Sequence, residues 1–112
     1  MPEPEEVLRH LRTALFRVDG AYWSLRHLSP PIALDLLGAA VTSLTLAAER
    51  SKKLHDAIIN ERNRLGSLHG VFEEELLKSF YDSARIDFSK LLNELDLARQ
   101  RLLTLYKRAA TE

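Results

Sequence analysis

The chain has 112 residues, 46% of them hydrophobic and 29% charged, the proportions of a folded chain rather than a disordered one. Sixteen basic and sixteen acidic side chains cancel, which argues against a partner held mainly by charge, DNA above all. Cysteine is absent, so disulfides, thiolate metal sites and cysteine nucleophiles are excluded.

The acidic opening, Met-Pro-Glu-Pro-Glu-Glu, lacks the basic and apolar regions of a signal peptide, and a cytoplasmic location is expected. A first helix is predicted over about residues 4–28. Val7, Leu11, Ala14, Val18, Ala21, Leu25 and Leu28 alternate in steps of four and three, and Leu8, Leu15 and Tyr22 widen the stripe. Glu3, Glu5 and Glu6 suit the positive end of the helix dipole. Asp19-Gly20 reads as a weak spot in this helix, not a break, because the periodicity runs through it. Phe16, Gly20 and Trp23 form a second face, where the small residue invites close approach by another helix and Trp23 is a candidate interface anchor.

Ser29-Pro30-Pro31 ends that helix and starts the next, with serine as N-cap and proline where a missing N–H is harmless. The second helix is predicted over about 31–65. Its first half, with Ile32, Leu34, Leu36, Leu37, Val41, Leu44 and Leu46, is apolar around most of its circumference, so it must touch neighbours on more than one side. Residues 31–48 have marginal length for a membrane span, and Asp35 would stand inside it at a cost of about 2.5–3.5 kcal/mol; a buried helix is the expected reading. Gly66-Ser67-Leu68-His69-Gly70 is read as the next break, a glycine turn closing the helix.

The third helix is predicted over about 70–110. Leu77, Tyr81, Ala84, Phe88, Leu91, Leu95, Ala98, Leu102, Leu105 and Ala109 draw one continuous seam. Acid at Glu73, Glu74 and Glu75 and base at Arg99, Arg101, Lys107 and Arg108 match the dipole at the two ends. At 1.5 Å per residue the three helices measure about 37, 52 and 60 Å. The first covers only part of the second, which leaves the hairpin 56–82 without a third helix from its own chain. Ile58, Ile59, Leu65, Leu68, Phe72, Leu76, Phe80 and Tyr81 lie there, and cover by a second copy or a helical partner is expected, with Trp23 joining the interface.

Metal and cofactor chemistry finds no support. No histidine follows a glutamate by three residues, no two histidines are three or four apart, and four scattered glycines form no phosphate loop. The acidic clusters open helices, where the dipole explains them.

One stretch carries possible chemistry: Glu61-Arg62-Asn63-Arg64-Leu65-Gly66-Ser67-Leu68-His69-Gly70. Arg62 with Asn63 precedes His69 by six intervening residues, and Arg64 precedes it by four. This resembles the motif of the HEPN superfamily, small all-helical domains that include dimeric RNA-cleaving toxins and CRISPR-associated ribonucleases. The resemblance implies a metal-independent ribonuclease, or a nucleotide-binding relative, whose site is completed by two copies. In it His69 would act in acid/base catalysis, with Arg62 and Asn63 beside it and the arginine stabilising phosphate charge. A histidine that titrates near neutrality and a planar guanidinium suit those roles.

The fold expected from the sequence is therefore all-α: one domain over 1–112, three long helices in an antiparallel, coiled-coil-like bundle. The expected function is protein–protein interaction by dimerisation or by docking on a helical partner, without autonomous catalysis, cofactor, metal or membrane. RNA enters only through the HEPN resemblance.

Overall fold

A computed structural model describes residues 2–81 and 87–112, the side chains of Phe80 and Tyr81 excepted. Helix is the only regular structure among the described residues, in four segments: α1 (Glu5–Arg26), α2 (Pro30–Arg50), α3 (His55–Tyr81) and α4 (Ser89–Thr111). The all-helical class follows the sequence reading; three helices become four.

The stripe on α1 is buried from Val7 through Leu25 as the periodicity predicts. Leu28 departs from it, being 78% exposed with φ 59°. It occupies the left-handed position of a Schellman turn: Ser29 N donates to Ser24 O (2.8 Å) and Leu28 N to Leu25 O (3.1 Å). A position that usually holds glycine holds leucine, so the turn leaves no glycine signal. Asp19-Gly20 lies within continuous helix. A Cβ on Gly20 would stand 3.1 Å from Leu36 Cδ1, so glycine there lets α2 approach closely.

Alanines bring α1 and α2 together. Ala14 and Ala21 on one helix and Ala33, Ala40 and Ala47 on the other are fully buried. Arg17 reaches across from α1 and donates to the Ala39 carbonyl (2.9 Å) and to Ser43 Oγ (2.6 Å), which satisfies a serine that the core buries. α2 is long and apolar enough to cross a membrane by length and composition, with mean hydropathy 1.6. It lies between α1 and α3, two neighbours for a helix apolar on most sides.

The continuous helix expected over 31–65 is broken at Ser51, which turns extended at φ −96°, ψ 126°. Its hydroxyl accepts from Leu54 N (3.1 Å) and donates to the buried Glu3 carboxylate (2.7 Å). A serine that offers the backbone such a partner competes with the helical hydrogen bond. His55 Nδ1 lies 2.8 Å from the carbonyl of Ala48 at the end of α2. At the same pole Glu3 N donates to Ala109 O (2.9 Å), so the chain's start, the α2–α3 turn and the end of α4 are tied together.

The break expected at Gly66–Gly70 is absent. Both glycines sit inside α3, and neither has a positive φ. Ile58, Leu65 and Phe72, fully buried on either side of them, hold the helix through a segment of poor propensity. A Cβ at Gly66 or Gly70 would meet nothing within 4 Å. Gly66→Ala and Gly70→Ala are therefore expected to stabilise the fold by about 0.5–1 kcal/mol each, the helical penalty of glycine relative to alanine. Thermal unfolding checks this, and a loss of stability would place the pair in a turn.

The seam predicted as one helix over 77–109 divides. Leu91, Leu95, Ala98, Leu102, Leu105 and Ala109 form the buried face of α4 as expected. Leu77 belongs to α3 and is 51% exposed, while Ala84 lies outside the described residues. Before α4, Asp87 Oδ1 accepts from Ser89 N (2.9 Å), and the Ser89 hydroxyl first, then this backbone bond, hold the Asp87 carboxyl below its ordinary range. A depressed carboxylate supports the turn at neutral pH and releases it as the pH falls through the folded-state value. Phe88 lies back on Phe72, ring centroids 6.2 Å apart.

Side-chain pairings between helices fix the directions. Arg12 with Tyr106 and Arg99 with Asp19 run α4 antiparallel to α1. Arg101 with Glu61 and Phe88 with Phe72 run it antiparallel to α3. The helices thus form a ring of neighbours, α1–α2–α3–α4, in which α3 and α4 touch least. Four helices of about 32–40 Å match one another in length. The hairpin expected to lack cover has α2 and α4 beside it.

Candidate interaction surface

The sparse contact between α3 and α4 opens a groove of about 750 Å³. Leu68 and Val71 from α3 and Leu91 from α4 give it an apolar floor. Arg64, Glu75, Asp87, Lys90, Glu94 and Arg101 supply charge of both signs around it. Val71 is 52% exposed, a β-branched apolar residue held in water on a rigid helix.

One wall is fixed by an ion pair. Arg101 Nε donates to both Glu61 oxygens at 3.0 and 2.9 Å, and the Glu61 side chain is only 8% exposed. Sequence reasoning assigns Glu61 no role, naming it only at the head of the Arg-Asn…His stretch. Its one available signal was position: it shares the stripe of Ile58, Leu65 and Leu68.

The predicted interface residues of α3 separate into three groups. Ile58, Leu65 and Phe72 are fully buried inside the chain, because α2 and α4 both lie beside α3, so they offer nothing to a partner in the folded monomer. Ile59, Leu68 and Leu76 are partly buried against that core. The side chains of Phe80 and Tyr81 lie outside the described residues.

Trp23 stays 47% exposed on α1. Tyr22 meets it edge-on at 5.2 Å, and Arg26 and Arg99 lie over its ring at 5.7 and 5.9 Å. Arg99 sits 3.7 Å above the Tyr22 ring and bridges Asp19 (2.8 Å) and Asp96 (2.6 Å), joining α1 to α4. Phe16 and Leu103, 68% and 42% exposed, lie beside this cluster along a shallower cleft.

The Arg-Asn…His stretch is helical throughout, and its members face different ways. Arg62 and His69, seven residues and about 10 Å of rise apart, share one side of α3. His69 packs on α2, where a Cβ on Gly38 would lie 3.3 Å from its Nε2. Arg62 donates to Asn63 Oδ1 (2.9 Å), while Asn63 and Arg64 line the groove toward α4. Among the described residues no group of three or more histidines and carboxylates is placed to hold a metal.

No family model, curated protein or solved structure matches the chain.

Proposed function

We propose that the chain is a protein–protein interaction module, an antiparallel coiled-coil-like bundle of the cytoplasm that acts by self-association and offers the same kind of surface to a helical partner. The observation that carries this reading is the α3–α4 groove, with its exposed Val71 on an apolar floor inside a charged rim. An apolar centre with a polar surround is the anatomy of a recognition surface. Rigid helices on both sides mean that little order is lost on binding.

The HEPN resemblance supports a second reading, a ribonuclease acting through Arg62, Asn63 and His69. Its structural support is that Arg62 and His69 share a helix side. Incubation with structured and single-stranded RNA separates the two. An interaction module leaves RNA intact, and His69→Ala changes only packing above Gly38. Metal-independent cleavage by the parent that His69→Ala abolishes with the fold intact would overturn the interaction reading, because the histidine would be moving a proton.

A further inference from the structure

We propose that the α3–α4 groove is one half of a two-fold interface whose occupant is a second copy of this chain, laid across it with its helices antiparallel. The proposal rests on the self-association reading and adds where and how the copies meet. Arg64, Leu68, Val71 and Glu75 follow one another at steps of four, three and four, so they form a single stripe on α3, and all four line the groove. The stripe is antisymmetric in charge about a point between His69 and Gly70: Leu68 and Val71 flank that point, with Arg64 and Glu75 one step further out.

α4 repeats the pattern. Lys90 and Glu94, of opposite sign and one turn apart about position 92, line the groove together with Leu91. The pairings of Glu61 with Arg101 and Phe72 with Phe88 set the register of the two helices. That register brings the centre of the α3 stripe level, within about a residue, with Leu91 and Leu92. The two patterns therefore share one centre.

A two-fold axis through that centre, running across the helices, places α3 on the partner's α3 and reverses its direction. A two-fold interface is self-complementary, each contact being made twice with the roles exchanged. Here it sets Arg64 against the partner's Glu75, Lys90 against the partner's Glu94, and Leu68 against the partner's Val71. Val71, half in water in one copy, is thereby covered. Among the described residues Arg64, Lys90 and Glu94 have no ion pair within the chain, and Glu75 has one, with the exposed Lys78 at 3.7 Å. A parallel arrangement would set like charges together, which charge complementarity opposes.

The test uses charge reversal on the full chain, read by sedimentation with circular dichroism as the check on folding. Arg64→Glu alone and Glu75→Arg alone each bring like charges together twice, and each is expected to weaken self-association about tenfold or more. An equimolar mixture of the two variants should associate as well as the parent, since both crossed contacts regain opposite charges. The double variant in one chain should recover in the same way. A dimer insensitive to either single reversal, or single variants that lose association and do not recover on mixing, overturns this interface while the self-association reading stands. A parent that is monomeric at every concentration overturns both.

Discussion

Phe72→Ala is expected to lower stability by about 3–5 kcal/mol, the usual effect of truncating a buried phenylalanine. Its side chain is fully buried, and its ring lies 6.2 Å from that of Phe88. Truncation empties the place where α4 is held against α3, and neither helix closes the gap without giving up contacts elsewhere. Chemical denaturation measures the loss. Phe72→Leu, a milder change, separates stability from association: it should lower the unfolding midpoint and leave the solution mass unchanged. Association lost with stability intact would return Phe72 to the interface, where sequence reasoning puts it.

Arg101→Met carries the second large effect. It removes the guanidinium that donates to both oxygens of Glu61 and leaves a carboxylate that is 8% exposed without its partner. An expected loss of about 2–3 kcal/mol reflects the desolvation of an unpaired buried polar group. Adding Glu61→Leu in the same chain should recover most of it, because an apolar pair of similar volume commonly replaces a buried ion pair without loss. A double-mutant cycle reads the coupling. An effect of Arg101→Met within about 0.5 kcal/mol would mean that water already serves the Glu61 carboxylate.

The buried faces of α1 and α4 were legible because single stripes at helical spacing admit one reading. The residues from Val7 to Leu25 and from Leu91 to Ala109 lie where the pattern puts them. The break at Ser29-Pro30-Pro31 was legible from its prolines; the later ones were not, for a physical reason. Glycine marks a turn only when nothing else holds the helix, and Ile58, Leu65 and Phe72 hold α3 through Gly66 and Gly70. The actual break at Ser51 depends on a hydroxyl whose partner, Glu3, is 48 residues away in sequence, so no local pattern announces it. Placing one break at Gly66–Gly70, where the chain has two, at Ser51 and before α4, lengthened two helices and produced an uncovered hairpin that the four-helix arrangement does not have.

The candidate site shows the same division. Trp23 is exposed where an anchor was expected. The groove arises from the separation of α3 and α4, a tertiary property, although the Arg64–Leu68–Val71–Glu75 stripe that lines it was present in the letters. Its significance depends on the register of a second helix.

Sedimentation equilibrium of the unmodified chain over the micromolar range tests self-association most directly. A mass rising with concentration to about twice the 12.8 kDa of one chain, as a two-fold pair requires, is the result predicted. A mass of 12.8 kDa at every concentration would contradict it.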